Sequence, residues 1–277
     1  MTVPAMPLVM GIVNVTPDSF SDGGRHLKHD AAIAHGRRLA REGAQILDVG
    51  GESTRPGADR VAATEERARV LPVVAALAAD GIQVSIDTMR ASTAAAAIAE
   101  GARIVNDVSG GLADPDLLAV VAETGVDVVL MHWRAHSRTM QDHARYGDVV
   151  EDVLAELSSR RDAALAAGIA AERIILDPGL GFAKTAAHNW DLLRHLDRFQ
   201  QTGHRLLVGA SRKRFLGELL EGRPPSERDG ATAAVSMWCA LHRVWAVRTH
   251  EVVRQRDAIA VAQALTASVQ GESGDVG

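Results

Sequence analysis

Residues 44–51 read AQILDVGG, a short apolar run that holds an aspartate and ends in two glycines. Seven other runs are also short and largely β-branched or rich in leucine: LVMGIVN (8–14), IQVSIDT (82–88), RIVNDVS (103–109), DVVLMHW (127–133), RIILDPG (173–179), RLLVGAS (205–211) and WAVRTHE (245–251). Short runs rich in β-branched residues and leucine are typical of parallel strands that are covered on both faces. The pattern predicts eight buried parallel strands.

Longer segments rich in Ala, Leu, Glu and Arg separate these runs and have a helical period: 30–43, 64–80, 92–101, 114–125, 148–168 and 227–242. Four of them close with a glycine, which suits a helix C-terminus: Gly43, Gly101, Gly125 and Gly168. Eight strand–helix units predict an α/β protein with a single-domain (β/α)8 TIM barrel. An open doubly wound sheet is the alternative, but its first strand usually ends in a glycine-rich phosphate turn, whereas residues 14–18 read NVTPD.

Composition sets limits on the class of protein. The 277 residues are 47% hydrophobic and 23% charged, which is enough for one large core, so residues 1–277 are assigned to one domain with a disordered tail from about 270. A formal net charge of -5 gives no reason to expect nucleic acid or an anionic membrane as a partner. No run approaches the ~18 apolar residues of a membrane span and no export signal is evident, so a cytoplasmic location is expected.

Polar residues lie at or near the ends of all eight runs. Because TIM-barrel active sites lie at the carboxyl ends of the strands, these residues are expected at one mouth. They are Asn14, Asp48, Glu52, Asp87, Asn106, Asp107, His132, Asp177, Ser211, Lys213, Arg248 and His250. Each buried polar group costs about 1 to several kcal/mol unless it is paired, so the set predicts a ligand or a dense polar network.

Three of these residues have a structural interpretation. Asp48 and Asp107 come before glycines or a turn, which favours bonds to nearby backbone or lysine groups. His132 is either a core histidine or a wall residue of the site.

The ligand-binding set is Asp87, Asn106, Asp177, Lys213 and Arg248. A carboxylate accepts two parallel hydrogen bonds from an amino-pyrimidinone edge, an amide adds one donor and one acceptor, and a lysine donates to a ring carbonyl. An arginine plane stacks on a flat heterocycle while its nitrogens reach an anion. The combination predicts a guanine-like or pterin-like ligand.

Two polar loops, NVTPDSFSDGG (14–24) and GGESTRPGA (50–58), are expected to act as lids. Asn14, Thr54 and Arg55 offer contacts to a Mg²⁺-bound diphosphate, since Mg²⁺ needs few protein oxygens when phosphates and waters complete its shell. Ser211 lies at the start of a predicted helix, whose free N–H groups would favour a second anion, such as a carboxylate.

Seven motifs occur in order between about residues 10 and 250: MGIVNVTPDSFSDGG, DVGGESTRPGA, SIDT, NDVSGG, LDPGLGFAKT, VGASRKRFLG and RTH. In these motifs the chain resembles the dihydropteroate synthase family. That resemblance implies condensation of 7,8-dihydropterin-6-ylmethyl diphosphate with 4-aminobenzoate, with loss of diphosphate, in folate biosynthesis. It further implies Mg²⁺ as cofactor and a homodimer formed by the last helices.

The resemblance also implies residue roles. Asn14 would meet Mg²⁺, the pterin would lie against Asp87, Asn106, Asp177 and Lys213, and Arg248 would stack on the ring and contact the diphosphate together with His250 and Thr54. The catalytic set would be Asn14, Asp87, Lys213, Arg248 and His250. The 4-aminobenzoate wall, where sulfonamides bind in this family, would be Phe20, Arg55, Pro56 and Ser211. Residues 133–138 (WRAHSR) and the late RTH depart from the commoner pattern, which puts loop shape in doubt.

Two alternatives share part of the pattern. A methyltransferase acting on a methylated folate would need the ring contacts but neither the diphosphate groups nor the first lid loop. A non-catalytic paralogue would bind pterin but would be expected to have lost lid or anion residues. The intact stretch 14–24 argues against the methyltransferase, and the presence of all the lid and anion residues argues against the paralogue.

Overall fold

The computed structural model describes residues 6–16, 25–52, 60–136 and 139–267, with residues 25–27 described in their backbone alone. Eight strands lie in this part of the chain: β1 (Leu8–Asn14), β2 (Ile46–Gly50), β3 (Gln83–Asp87), β4 (Ile104–Asp107), β5 (Asp127–Met131), β6 (Ile174–Asp177), β7 (Arg205–Val208) and β8 (Ala246–Thr249). All pair in parallel in chain order, and β8 pairs with β1 to close the barrel. The predicted (β/α)8 barrel is confirmed.

Helices cover the outside of the barrel. They are α1 (Arg25–Glu42), α2 (Ala63–Ala79), α3 (Ala91–Ala99), α4 (Leu117–Thr124), α5 (Val149–Ala166), α6 (Ala186–Arg194), α7 (Leu196–Gln200), α8 (Arg214–Leu219), α9 (Asp229–Leu241) and α10 (Val253–Thr266). Helix α5 begins where the Asp148 side chain accepts hydrogen bonds from the backbone N–H groups of Val150 and Glu151. No helix in the described ranges has the length and apolar character needed to cross a membrane.

The predicted glycine stops are present in the structure. Gly43, Gly101, Gly125 and Gly168 all have positive φ values, of 104°, 109°, 63° and 96°. Glycine adopts this left-handed region without the steric cost that a Cβ atom brings. Each helix therefore ends where its sequence indicates.

The inside of the barrel has its own apolar cluster, separate from the layer between strands and helices. It takes one buried residue from each of seven strands: Met10, Ile46, Ile104, Val129, Ile175, Leu207 and Ala246. Because successive side chains of a strand point to opposite faces, a residue two positions further on points inward as well, closer to the carboxyl end. This alternation places Asp48, Asn106 and Asp177 above the cluster, at the mouth of the barrel.

Candidate active site

Arg248 joins three strands at the mouth. Its Nε donates to Oδ2 of Asp48 at 2.6 Å, and its terminal nitrogen donates to Oδ2 of Asp87 at 2.8 Å. The Nδ2 of Asn106 donates to the same Asp48 oxygen at 2.9 Å. Side chains of β8, β2, β3 and β4 thus form one network, with the guanidinium fixed between two carboxylates.

A second group of contacts lies at the end of β6. Oδ1 of Asp177 accepts from the backbone N–H of Gly179 at 2.7 Å. The Nζ of Lys213, which follows β7, donates to the carbonyl of Leu180 and lies 4.9 Å from the centre of the Phe182 ring. The side chains of Asp177 and Lys213 therefore both bond to backbone groups of the loop of residues 177–184, which Asp177 begins.

Burial dominates the electrostatics of the mouth. It raises the pKa of Asp87 to about 7, a shift that the charge of Arg248 opposes and the charge of Asp48 increases. Burial also raises the pKa of Asp177, against the nearby charge of Lys213. It lowers the pKa of Lys213 to about 8, although the negative charge of Asp177 counteracts this shift. A ligand that donates hydrogen bonds or carries positive charge would stabilise the ionised forms of these two buried carboxyl groups.

Asp48 is the main correction to the sequence interpretation. It is fully buried, and its partners are Arg248 and Asn106 rather than neighbouring backbone or a lysine. Within the described part of the chain, its Oδ1 has no hydrogen-bond partner. Strand alternation could have identified Asp48, because it lies two residues after the inward-facing Ile46.

Asp107 has the structural role expected of it. Its carboxylate accepts from the backbone N–H groups of Ser109 and Gly111 at 2.8 and 2.6 Å, and from the Ser109 hydroxyl at 2.7 Å. These bonds fix the turn after β4. His132 is 1% exposed, and it bonds to Glu156 and Lys184 instead of lining the mouth.

Ser211 and His250 form a separate pair beside the mouth. The Ser211 hydroxyl lies 2.9 Å from Nδ1 of His250 and accepts from the His250 backbone N–H at 3.1 Å. Contrary to the sequence prediction, Ser211 does not begin a helix, because α8 begins three residues later, at Arg214, and has only six residues. Contact with a second anion would have to come from the Ser211 side chain and its neighbours rather than from a helix terminus.

Asn14 ends β1, where it is paired in register with Gly50 of β2, and Gly50 is paired in turn with Asp87 of β3. It is therefore at the same end of the barrel as the network around Arg248. Four other predicted contacts, Phe20, Thr54, Arg55 and Pro56, lie outside the described residues, as do most of the two predicted lid loops.

A polar pocket adjoins Asp87, lined also by Glu52, Arg60, Glu66, Thr88 and Arg90. Arg90 donates to Glu52 at 2.9 Å and to the buried Glu66 at 2.5 Å, while the Thr88 hydroxyl donates to Glu66 at 2.6 Å. This ion-pair network supports the ends of β2 and β3. Sequence reasoning missed Glu66 and Arg90, because their partners lie on other elements.

Comparison with known proteins places this geometry in a family. The sequence profile of the pterin binding enzymes matches residues 10–250. Dihydropteroate synthase of Mycobacterium leprae is 54% identical over 259 residues, which are 91% of this chain and 91% of that protein. A Xanthomonas albilineans dihydropteroate synthase solved with 4-aminobenzoic acid superimposes with a TM-score of 0.90 at 46% identity, over 96% of this chain and 95% of that one.

The same Xanthomonas enzyme solved with 7,8-dihydropteroate gives a TM-score of 0.87 at 43% identity, over 96% of each chain. The matches cover the barrel from β1 to β8, and so include every described strand that supplies a side chain to the mouth. On these grounds the chain belongs to the dihydropteroate synthase family of pterin binding enzymes.

Proposed function

We propose that this chain condenses 7,8-dihydropterin-6-ylmethyl diphosphate with 4-aminobenzoate, giving 7,8-dihydropteroate and diphosphate. The observation that carries the proposal is the convergence of Asp48, Asp87, Asn106 and Arg248 in one network, at the mouth where Asp177 and Lys213 also lie. The flat, hydrogen-bonding edge of a pterin complements carboxylate, amide and ammonium groups. The family relationship supports the same substrates.

The reaction breaks the bond between the exocyclic methylene and the diphosphate oxygen, and positive charge develops on the pterin. Asp87 and Asp177 lie where negative charge would stabilise that cation. Lys213, with a pKa of about 8, remains mostly protonated at neutral pH and donates to the ring. Arg248 and His250 contact the departing diphosphate.

The amine nitrogen of 4-aminobenzoate then forms the new C–N bond and afterwards loses a proton. An aryl amine is a neutral nucleophile, so a strong base is not required. Ser211, together with Phe20, Arg55 and Pro56, is proposed to hold the benzoate. Positioning both substrates in one closed site supplies much of the rate enhancement.

The residues present fit a magnesium ion that arrives with the diphosphate. Asn14 offers an amide oxygen at the end of β1, and the described ranges hold no cluster of three or more His, Cys, Asp or Glu residues that would bind a metal independently. When bound, the ion would neutralise charge on the leaving group, with phosphate and water oxygens as its other ligands.

Three further properties belong to the proposal. The chain acts in the cytoplasm, as a homodimer, and sulfonamides compete with 4-aminobenzoate. Exposed apolar side chains on α9 and α10 support a dimer, among them Trp238, Leu241, Val261 and Leu265.

Diphosphate release tests the proposed function directly. Release should require the pterin diphosphate, 4-aminobenzoate and Mg²⁺ together, and should stop when any one is omitted or when a chelator removes the metal. Asp177→Asn should weaken it strongly, whereas Asp162→Asn, at an exposed position on α5, should not. Pterin binding without diphosphate release would instead indicate the non-catalytic paralogue.

A further inference from the structure

The loop of residues 177–184 has an unusual backbone. Three of its residues have positive φ values: Gly179 at 67°, Gly181 at 80° and Ala183 at 50°. Ala183 carries a Cβ atom, so its left-handed conformation is sterically unfavourable. A backbone of this kind persists only where surrounding contacts hold it in place.

Lys184 supplies two of those contacts from inside the protein. It is 4% exposed, and its Nζ donates to the carbonyls of Gly179 and Phe182, both at 3.0 Å, and to Nδ1 of His132 at 2.9 Å. An ammonium group has three N–H donors, and each finds an acceptor here. Burial and the charge of Lys213 lower the pKa of Lys184, but even a neutral amine keeps two N–H donors, which is enough for the two loop carbonyls.

A second layer of contacts fixes the acceptor on His132. Its Nε2 lies 2.9 Å from a Glu156 oxygen, and Arg134 donates to the other oxygen of that carboxylate at 2.5 Å. Burial, together with the charge of Lys184, lowers the pKa of His132 to about 4, so the ring is neutral near pH 7. Since an ionised Glu156 only accepts, the proton lies on Nε2, and Nδ1 is left to accept from Lys184.

The loop that Lys184 holds contacts two predicted pterin-binding groups. Gly179 donates its backbone N–H to Asp177, and its carbonyl is held by Lys184. The Leu180 carbonyl, which accepts from Lys213, lies between the two carbonyls that Lys184 binds. A shift of this loop would move the partners of both Asp177 and Lys213.

We propose that Lys184, oriented by His132 and Glu156, is a positioning residue that sets Asp177 and Lys213 in place for the pterin. This inference rests on the proposed function, since it concerns the binding of the pterin diphosphate. Lys184 contacts loop backbone and His132 rather than substrate. Its effect should therefore be on the pterin substrate and not on 4-aminobenzoate, whose proposed wall lies on other loops.

The test compares steady-state kinetics of Lys184→Met with those of the unmodified chain, with diphosphate release as readout. The KM for the pterin diphosphate should rise about 10- to 100-fold, the range seen when the supporting partners of a site residue are removed. The KM for 4-aminobenzoate should stay within about twofold, because the hydrogen bonds of Lys184 support ground-state binding of the pterin alone. A general disruption of the structure would affect both substrates alike.

Tyr146→Phe is the matched control. The Tyr146 hydroxyl donates to the carbonyl of Ala183 in the same loop at 2.9 Å, but it bonds to neither carbonyl that Lys184 holds. This variant should keep the pterin KM within about twofold of the unmodified value. An equal rise of the pterin KM in both variants would overturn the proposal, since any loosening of the loop would then suffice.

Lys184→Gln, which keeps a shorter N–H donor, serves if the methionine variant does not fold, and its effect should have the same direction. Failure of both to fold would overturn the proposal by assigning Lys184 to barrel stability. An unchanged KM for the pterin diphosphate in a folded variant would overturn the role of Lys184 but leave the proposed function intact. Absence of diphosphate release by the unmodified chain would overturn the proposed function, and this inference with it.

Discussion

Removing the carboxylate of Asp48 is the sharpest perturbation of the network at the mouth. Its Oδ2 accepts from Arg248 Nε at 2.6 Å and from Asn106 Nδ2 at 2.9 Å, and the residue is fully buried. Two substitutions separate its contributions. Asp48→Asn keeps one oxygen that accepts both bonds and loses the charge, while Asp48→Ala loses the acceptor as well.

The expected magnitudes follow from that difference. Asp48→Ala leaves the Nε of Arg248 and the amide of Asn106 without their acceptor, so it should lower the free energy of unfolding by about 3–5 kcal/mol. Asp48→Asn should lower it by about 1–2 kcal/mol, because hydrogen bonds remain while charge assistance is lost. With Arg248 less firmly held, kcat/KM for the pterin diphosphate should fall roughly 10-fold in the asparagine variant.

Asp48→Asn should also alter the pH dependence of kcat/KM. Burial raises the pKa of Asp87 to about 7, and the charge of Asp48 adds to that shift. Without this charge the pKa of Asp87 falls, and its carboxylate persists to lower pH. Since the ionised form is proposed to stabilise the cationic pterin, the acid limb of the kcat/KM profile should move to lower pH in Asp48→Asn.

Urea unfolding of both variants gives the stabilities, and diphosphate release between about pH 5 and pH 9 gives the profile. A loss of less than about 1 kcal/mol of unfolding free energy in Asp48→Ala, together with an unmoved acid limb in Asp48→Asn, would contradict the role given to the Asp48 carboxylate. That result would mean that Arg248 is held at the mouth without the Asp48 carboxylate.

Two other predictions concern single groups of the site. In Gly179→Ala, the new Cβ would overlap the carbonyl oxygen of His132, and the φ of 67° at residue 179 is unfavourable for alanine. The free energy of unfolding should therefore fall by roughly 2 kcal/mol or more. An unchanged melting temperature would contradict this. Because the folded pKa of Asp87 is raised from 3.8 to about 7, its contribution to stability is present below the ordinary value and is lost as pH rises to about 7. Asp87→Asn should remove that loss, which urea unfolding of the unmodified chain and the variant at about pH 5 and about pH 8 would measure. If the unfolding free energy changed with pH equally in both proteins, the raised pKa would not belong to Asp87.

The fold follows closely from the sequence because buried parallel strands carry continuous apolar runs. Residues 8–14 coincide with β1, and residues 173–179 extend past β6, which ends at Asp177. The difference arises at Pro178 and Gly179, where the chain leaves the sheet. An apolar run in the sequence shows where a buried strand begins, but the residue at which the strand ends depends on its last hydrogen bond to the neighbouring strand.

The site is partly predictable for the same reason. The carboxyl ends of parallel strands share one edge of the barrel, which is enough to group Asp87, Asn106, Asp177 and Arg248 at one mouth. The glycines that closely follow Asp48 suggest a hydrogen bond to local backbone. The alternation of side chains along β2 instead points Asp48 into the barrel, where it contacts Arg248 and Asn106. The proposed ligand roles of all these residues remain predictions.

Lys184 shows what a sequence does not encode locally. It lies in the motif LDPGLGFAKT, yet its role depends on a backbone with three positive φ values and on His132, 52 residues earlier in the chain. Likewise, Ser211 pairs with His250 at a separation of 39 residues. Such contacts are set by the closed barrel and become visible only when the strands are assembled.

Side chains from separate strands are proposed to form a single pterin site. A crystal structure of the chain with 7,8-dihydropteroate would show whether they do. We expect the amino-pyrimidinone edge within hydrogen-bond distance of Asp177 and Lys213, with Arg248 beside the ring. A pterin bound elsewhere, with these three side chains making no contact to it, would rule out the proposed site.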